Sequence, residues 1–385
     1  MKYPIGIQSF EQIREGGFVY ADKTDLVYKL ADEGKIYFLS RPRRFGKSLL
    51  LSTLKCYFEG RKELFKGLKI DSLETEWKHY PVFHIDFNGT NFLDANSLNN
   101  ALDYLLDQWE KQWEVSGMAE RARGFRFANI LHQAHLKTGL PAVVLVDEYD
   151  KPMLDVLDTG LKMMSGENEV LVEDYNRNTL KAFYSVFKLA DADLRFVMLT
   201  GVTKFSQVSV FSGFNQPNDI SMAGDYEALC GITSEELSEV FAPSIHEMAE
   251  TLGYTDERMI ELLKIHYDGY HFGPKLTDIY NPFSILNAFA KKSLGAYWYQ
   301  SGTPTYLIRL LNHSHENLNE MVGKYYMPEQ FDAYNTDFKK LLPIIYQCGY
   351  LTIKDVRRIG FRNAYKLDFA NAEATKGFLT LTNNN

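Results

Sequence analysis

The sequence predicts an α/β fold in which helices cover both faces of a parallel sheet, and three apolar stretches carry this prediction. Residues 36–39, 142–146 and 194–199 lack the alternation of polar and apolar side chains that marks a half-exposed strand. Nearly continuous apolar runs of this length are typical of strands buried on both faces of a parallel sheet. Polar residues follow each run, so polar groups should gather at one edge of the sheet.

The elements occur in the order that such a sheet requires. Helical spacing of apolar residues precedes and follows the first strand, and Gly34 and Gly60 can end these two helices. A second strand and two patterned helices come before the run at 142–146. The predicted elements are helix 25–31, strand 36–39, helix 49–60, strand 81–87, helices 99–113 and 125–136, strand 142–146, helix 174–189 and strand 194–202.

The length of the chain and a change in its sequence pattern after residue 225 indicate more than one domain. The 385 residues, of which 45% are hydrophobic, predict two or three domains. We expect the sheet domain over residues 1–225 and a helical region over residues 226–330. A small module over residues 331–385 should combine a helix with a two-stranded wing, in which Arg357, Arg358 and Gly360 form the turn.

Charge and cysteine content exclude several classes of protein. The net charge of −8, from 42 basic and 50 acidic residues, excludes a global basic field of the kind that drives sequence-independent nucleic-acid binding. It leaves room for a local basic groove. The three cysteines are far apart, as expected of reduced thiols, and no apolar run approaches the ~20 residues of a membrane span. We therefore expect a cytoplasmic protein without membrane association.

The loop after the first strand has the features of a phosphate-binding loop. Gly46 can adopt unusual dihedral angles, and the helix that follows offers its positive end to an anion. Lys47 would reach the β- and γ-phosphates, and Ser48 would hold Mg²⁺. The strict pattern has glycine where this chain has Arg41. The alternative is a basic turn on a solvated surface.

The residues around Gly46 are included in the predicted nucleotide contacts. Guanidinium groups suit the geometry of phosphate, and three arginines lie within the loop. The predicted ligand of this loop is a nucleotide with Mg²⁺. The residues predicted to bind the nucleotide are Arg41, Arg43, Arg44, Phe45, Gly46, Lys47, Ser48 and Leu49.

Two carboxylates follow the strand at 142–146. The carboxyl ends of parallel strands share one edge of a sheet, so Asp147 and Glu148 should face the same crevice as Lys47 and Ser48. Asp147 would bind Mg²⁺ together with Ser48, and Glu148 would orient and deprotonate the attacking water. The alternative is an acidic loop after a buried strand. Asp150 is either a further acid of the site or the cap of the next helix.

A hydroxyl ends the strand at 194–202. Thr200 is placed to sense the γ-phosphate or the attacking water, which would make it a catalytic residue beside Lys47 and Glu148. Hydroxyl side chains at strand ends also commonly form turns, and this alternative stays open.

Seven motifs in order resemble the bacterial AAA-ATPase-like proteins, which commonly carry a PD-(D/E)XK nuclease-like domain at the C-terminus. The resemblance spans nearly the whole chain, and arginine is the usual residue of that family at the position of Arg41. The motifs are Tyr20-Ala-Asp-Lys-Thr24, Arg41-Pro-Arg-Arg-Phe-Gly-Lys-Ser48, Val146-Asp-Glu-Tyr-Asp-Lys-Pro152, Thr200-Gly-Val-Thr-Lys-Phe-Ser206, Tyr267-Asp-Gly-Tyr-His-Phe272, Tyr280-Asn-Pro-Phe-Ser284 and Ser301-Gly-Thr-Pro-Thr305.

The resemblance implies a P-loop NTPase of the ASCE, AAA-like class, followed by a helical and winged-helix-like C-terminal region. It places the strand of Thr200 between the strands that carry the phosphate loop and Asp147. It also places Asp22 and Lys23 near the nucleotide. The nuclease-like domain would begin after Phe378, so these residues are either a fragment or a natural short form, and we predict no nuclease activity for them.

Three functions remain in view. The first is a Mg²⁺-dependent ATPase whose nucleotide state controls a C-terminal module. The second is a switch that binds ATP but hardly hydrolyses it. The third is a nucleic-acid-associated regulator in which Arg357 and Arg358 contact backbone phosphates. The expected partners are ATP and a nucleic acid or protein bound by the C-terminal region, and assembly into a homo-oligomer is left open.

Overall fold

The computed structural model of the chain describes residues 1–117, 120–205, 217–302, 304–314, 316–335 and 340–383. Ser206 and Thr303, which belong to two of the motifs above, lie outside the described residues. The strands are β1 (Ile36–Ser40), β2 (Val82–Asp86), β3 (Ala142–Asp147), β4 (Lys162–Ser165), β5 (Asn168–Leu171), β6 (Leu194–Gly201), β7 (Asn218–Asp219), β8 (Ile232–Thr233), β9 (Ile279–Tyr280), β10 (Lys324–Tyr326), β11 (Leu351–Ile359) and β12 (Arg362–Phe369).

Helices separate the strands and make up most of the region after the central sheet. They are α1 (Phe10–Glu15), α2 (Thr24–Glu33), α3 (Lys47–Phe58), α4 (Lys62–Phe65), α5 (Ser97–Gln112), α6 (Arg123–Thr138), α7 (Lys151–Leu154), α8 (Val172–Tyr184), α9 (Val186–Leu189), α10 (Ser234–Val240), α11 (Ala242–Leu252), α12 (Asp256–Tyr267), α13 (Pro282–Lys291), α14 (Trp298–Gly302), α15 (Thr305–His313), α16 (Pro328–Phe331), α17 (Leu341–Gln347) and α18 (Ala372–Asn383).

A five-stranded parallel sheet forms the centre of the fold. Its order is β2-β3-β6-β1-β7, so β6 lies between β1 and β3. The predicted fold class is thereby confirmed, including the strand inserted between the phosphate loop and Asp147. The short edge strand β7 was not predicted.

Apolar side chains on both faces of the sheet explain why its strands lack alternation. All six residues of β3 are buried. Val144 and Val146 point into a core that also contains residues of α5, α6 and α8. Val143 and Leu145 point into a second core formed with α2 and α3. Each strand thus buries both sets of its side chains, as the continuous apolar runs predict.

The C-terminal module is larger than the predicted helix and two-stranded wing. α17 begins within one residue of the predicted helix, and β11 and β12 form the hairpin, but β10 pairs with β12 as a third strand. Arg357 and Arg358 lie within β11, so the turn is confined to Gly360 and Phe361. The module boundary predicted at residue 331 stays a prediction, although β10 lies before it.

The C-terminal part of the chain packs against the loop that follows β1. The indole Nε1 of Trp298 donates a hydrogen bond to the carbonyl oxygen of Arg43, at 3.2 Å. Gly349 adopts φ +89°, and a Cβ at this position would lie 2.9 Å from the ring of Pro42. A separate apolar core joins α10, α11, α12 and α13. No helix in the described ranges is long and apolar enough to cross a membrane.

Gly349→Ala should destabilise the contact between the C-terminal module and the loop. The positive φ alone costs roughly 1–2 kcal/mol for a residue with a Cβ, and the close approach to Pro42 adds to this cost. Gly253→Ala is the matched control, because Gly253 has φ +73° and a Cβ added there would meet no atom within 4 Å. Denaturant unfolding should show the larger loss for Gly349→Ala; equal losses would contradict the packing described here.

Candidate functional site

The loop between β1 and α3 presents backbone donors at the carboxyl edge of the sheet. Arg44 and Gly46 adopt positive φ angles of 70° and 98°, which bend the chain tightly before α3. α3 begins at Lys47 without a side-chain cap and without an acidic residue in its first turn. The first N–H groups of a helix lack intrahelical partners and attract anions. This loop therefore has the backbone geometry of an anion-binding site.

A cavity of about 400 Å³ lies in front of this loop. The N-terminal segment 4–8, α13 and the loop after β3 complete its walls. Further lining residues are Asn88, which the sequence analysis did not single out, and Lys151 and Phe283, which lie in two of the seven motifs without a predicted role. The residues of the predicted site that line the cavity are Arg43, Arg44, Gly46, Lys47, Ser48, Leu49 and Glu148.

Lys47 is a buried cation whose hydrogen-bond partners, within the residues that the structure describes, are carbonyl oxygens. Its ammonium group donates to the carbonyl oxygens of Arg41 at 3.1 Å and Pro42 at 3.3 Å. The residue is 4% exposed, and it forms no ion pair with any residue in the described part of the chain. A buried ammonium group is costly without a counter-charge, so an anion in the cavity would complete its environment.

Arg41 does not line the cavity, and its predicted contact with the nucleotide stays a prediction. Its guanidinium group is buried and donates to the carbonyl oxygens of Ser40, Ser221 and Tyr226. It also lies 4.2 Å from the centre of the Phe272 ring. Arg41 therefore ties the loop to the segment after β7, and this explains why arginine can replace the glycine of the strict pattern.

Phe45 also serves the loop through packing. Its ring contacts Tyr270 and Phe272 edge-on, with centroids 4.8 and 5.3 Å apart, and its side chain is buried. The side chain therefore packs away from solvent, and a contact between Phe45 and the nucleotide stays a prediction. The motif at 267–272 thus supplies the aromatic side chains against which the loop between β1 and α3 packs.

Arg43 and Arg44 are the arginines that reach the cavity. The guanidinium group of Arg43 lies 5.9 Å from the ring centre of Tyr306, and that of Arg44 lies 4.9 Å from the ring centre of Phe283. Arg44 is exposed, whereas Arg43 is partly buried. Both cations therefore border the anion-binding loop from the side of the helical region.

Asp147 lies behind the cavity and is held by Thr200. The Thr200 hydroxyl donates to Oδ1 of Asp147 at 2.8 Å, and the backbone N–H of Glu148 donates to the same oxygen at 3.0 Å. The amide of Asn88 lies 3.5 Å from Oδ2. Thr200 is wholly buried and does not line the cavity. Its observed role is to orient Asp147, while a contact with the γ-phosphate or the attacking water stays a prediction.

Glu148 faces the cavity from a strained backbone. It adopts φ +51°, an uncommon value for a residue with a side chain. The strain is held by its neighbours: the N–H of Tyr149 donates to the carbonyl oxygen of Thr200, and the Tyr149 hydroxyl donates to that of Thr203. The loops after β3 and β6 thus form one hydrogen-bonded unit that aims Glu148 into the cavity.

Asp150 completes this unit. Its Oδ2 accepts hydrogen bonds from the N–H groups of Val202 at 3.0 Å and Thr203 at 2.6 Å. Burial, together with the charge of Glu148, raises the pKa of the Asp150 carboxyl to about 7. Asp150 does not line the cavity, and its bonds make it a clamp between the two loops rather than a ligand.

Ser48 and Asp147 provide a donor set that suits Mg²⁺. Mg²⁺ is typically held by one or two protein oxygens together with phosphates and waters. Ser48 borders the cavity, and Asp147 lies at the end of the strand beside that of Thr200. No cluster of three or more His, Cys, Asp or Glu side chains suited to a metal ion occurs within the ranges described above.

Asp22 lies outside the cavity and fixes the start of α2. Its Oδ1 accepts from the backbone N–H of Thr24 and its Oδ2 from that of Lys69, at 2.9 and 2.7 Å. Its neighbour Lys23 borders a second, apolar cavity of about 100 Å³ and pairs with Glu236 at 2.5 Å. The structure therefore gives no support to a direct contact between Asp22 and the nucleotide.

Asn88 is a site residue that sequence reasoning could have found. It follows the predicted second strand, and every strand end on this edge of the sheet is a candidate position. Phe283 lies in the motif at 280–284, which gave no indication of its place at the cavity, and the N-terminal segment 4–8 carried no signal, because both reach the cavity only through tertiary packing.

Asp150→Asn should change how stability depends on pH. The native carboxyl keeps its proton up to about pH 7, whereas the unfolded carboxyl loses it near its ordinary value. Native wild type therefore binds more protons in this window and loses stability as the pH rises from about 4 to 7. The amide of the variant does not titrate and removes this pH dependence. Relative to wild type, the free energy of unfolding of the variant should therefore rise between about pH 4 and 7 by an amount on the order of a few kcal/mol.

Urea unfolding at several pH values checks this expectation, with the exposed Asp32→Asn as the matched control. A stability difference between Asp150→Asn and wild type that stays constant with pH would contradict the buried position of the carboxyl.

Comparison with known proteins agrees with this architecture. A family described as "Predicted AAA-ATPase" matches residues 4–211, more than half of the chain. A protein described as an uncharacterized protein in the vnfD 5' region of Azotobacter chroococcum mcd 1 is 39% identical over 376 residues, which cover 97% of this chain and 68% of that protein. The chain therefore belongs to the AAA-ATPase-like family.

Proposed function

We propose that this protein is a Mg²⁺-dependent ATP hydrolase whose nucleotide state controls its C-terminal module. The observation that carries the proposal is the buried, carbonyl-bonded Lys47 at the wall of a cavity that Glu148 also lines. Family membership supports nucleotide binding. One cavity thus contains Lys47, a cation without a counter-charge among the described residues, and Glu148, a carboxylate that can accept a proton.

Each residue has a distinct task in this proposal. Lys47, Arg43 and Arg44 neutralise phosphate charge, and the N–H groups at the start of α3 bind phosphate oxygens. Ser48 and Asp147 would hold Mg²⁺, which would neutralise phosphate charge during phosphoryl transfer. Glu148 accepts the proton of the attacking water. Thr200 and Asp150 are positioning residues, because they act through Asp147 and through the backbone after β6.

The apolar cavity beside the loop supports a nucleotide as the ligand rather than free phosphate. It shares Gly46, Leu49 and Leu286 with the larger cavity, and most of its walls are apolar. A base stacked in such a slot would gain from apolar burial next to the phosphate contacts.

Lys204 offers a route from the site to the C-terminal module. It follows Thr200 on the loop that Asp150 clamps, and its ammonium group pairs with Asp219 and with Asp332. The N–H of Tyr334 donates to the carbonyl oxygen of Lys204 at 2.7 Å, and the N–H of Lys204 donates to Gln347 at 3.2 Å. A shift of this loop on hydrolysis would therefore act directly on Asp332, Tyr334 and Gln347.

A non-hydrolysing ATP switch is the second candidate. Glu148 is the residue whose role separates the two, since binding needs only the loop, Lys47 and the metal. Under this alternative the same contacts around Lys204 would report occupancy instead of hydrolysis.

Lys47→Ala and Glu148→Gln should both strongly reduce the rate of ATP turnover, but for different reasons. Loss of the Lys47 charge should lower the turnover rate at least a hundredfold and also weaken binding. Glu148→Gln should lower the rate roughly 10²- to 10⁴-fold while leaving binding nearly intact. Phosphate release measures the rates, and the exposed Lys188→Ala and Glu257→Gln are matched controls.

Equal rates in wild type and both variants would overturn the hydrolase proposal. If wild type shows no turnover but Mg-ATP raises its melting temperature, and Lys47→Ala abolishes that rise, the switch replaces the hydrolase. Binding to the native state alone must raise stability, which makes the second readout independent of chemistry.

Lys204→Met should uncouple the C-terminal module from the nucleotide. In wild type, Mg-ATP should change the hydrogen-exchange protection of residues 341–369, because the Lys204 contacts link the two regions. In the variant that change should shrink while protection of α3 still responds. The exposed Lys188→Met is the control. If residues 341–369 respond to Mg-ATP in Lys204→Met as they do in wild type, Lys204 does not couple the two regions.

A further inference from the structure

The hairpin of β11 and β12 carries an aromatic side chain at its tip with almost no contact to the rest of the protein. Phe361 is 97% exposed, more than any other large apolar side chain of the described residues. It lies between Gly360, which adopts φ +61°, and Arg362. An aromatic ring held outward at a rigid turn gains nothing for folding, so its position calls for a partner.

The strand register places further residues on the same side of this sheet. Ile359 pairs with Arg362, and Arg357 pairs with Ala364. Paired residues and residues two apart share one face of a sheet, so Arg357, Ile359 and Arg362 project together. The guanidinium group of Arg357 lies 4.6 Å from the ring centre of Tyr325 on β10. This outer face of the three-stranded sheet thus combines aromatic and guanidinium groups.

The charge of the hairpin is opposite to that of the chain. Between Asp355 and Lys366 there are four basic residues and one acidic residue, whereas the whole chain carries −8. The acidic residue, Asp355, accepts a hydrogen bond from the Tyr325 hydroxyl. Arg362 pairs with Glu329, but both side chains are more than half exposed. Exposed pairs of this kind are weak and exchange readily for a phosphate.

This combination fits a nucleic acid better than a protein or a membrane. Only Ile359 and Phe361 are apolar at the tip, which is too little for a membrane anchor or an apolar protein interface. Arginines bind phosphates, and an exposed aromatic ring stacks on bases that are free of a duplex. The mixture of rings and cations along one strand-lined face suits an extended single strand.

We propose that the outer face of the three-stranded sheet, formed by Tyr325, Arg357, Ile359 and Arg362, together with Phe361 at the hairpin tip, binds single-stranded nucleic acid. Phe361 stacks on a base, and Arg357 and Arg362 contact the backbone phosphates. The site is separate from the ATP cavity and does not depend on ATP hydrolysis. It gives the C-terminal module a ligand of its own.

The test is fluorescence anisotropy of a labelled, mixed-sequence DNA single strand of about 20 nucleotides with the whole chain. Phe361→Ala should weaken binding between about fivefold and a hundredfold, as expected for loss of one stacked base. Arg357→Ala and Arg362→Ala should weaken binding and each lower the slope of log affinity against log salt by about one. Melting temperatures should match wild type, because all three side chains are exposed.

Tyr104→Ala and Lys111→Ala are matched controls, since both are exposed residues of α5 in the sheet domain. They should bind the strand like wild type. Absence of binding, or equal affinity of wild type and Phe361→Ala, would overturn the proposal. Tighter binding of the corresponding duplex would overturn the proposal that the ligand is single-stranded. If poly-glutamate competes for the face as well as unlabelled single strand does, the face is a general anion-binding surface, and the proposal is overturned too.

Discussion

The parallel insertion of β6 between β1 and β3 is the constraint on which the site depends. It separates the phosphate loop from Asp147 by one strand and brings Thr200 to the side of that carboxylate, where the hydroxyl bonds Oδ1 at 2.8 Å. A different strand order would bring Asp147 directly beside the loop or leave Thr200 without a partner. The spacing between the cation and the carboxylates at this edge is therefore set by backbone pairing, before any ligand binds.

A second layer of interactions fixes the two sides of the cavity. Asp150 and Tyr149 bond the loop after β6, so the strained backbone of Glu148 cannot relax alone. On the other side, Phe45 rests on Tyr270 and Phe272, and Trp298 bonds the carbonyl oxygen of Arg43. The helical and C-terminal regions thus contact the loop before α3 directly, and these contacts support the proposal that nucleotide state and the C-terminal module influence each other.

The local sequence pattern was enough to predict the sheet and the loop. A strand that is buried on both faces appears as a continuous apolar run, and the start of α3 appears as a change to helical spacing of apolar residues after Gly46. Directions of side chains were not predictable in the same way. The guanidinium group of Arg41 donates hydrogen bonds to the carbonyl oxygens of Ser221 and Tyr226, and the carboxylate of Asp22 accepts one from the backbone N–H of Lys69. These partners lie far along the chain or depend on its packing. Asn88 shows the reverse case, since the rule that predicted Asp147 and Thr200 also applies to the end of β2.

The central claim is that Lys47 awaits the phosphates of a nucleotide. Calorimetric titration of Mg-ATP into wild type and Lys47→Ala tests it without reference to turnover. The account predicts binding of one nucleotide per chain by wild type and an affinity at least about tenfold lower in the variant, equivalent to the loss of one charge-assisted contact of roughly 1.5–3 kcal/mol. Equal affinity in the two proteins, or no binding to wild type, would contradict it.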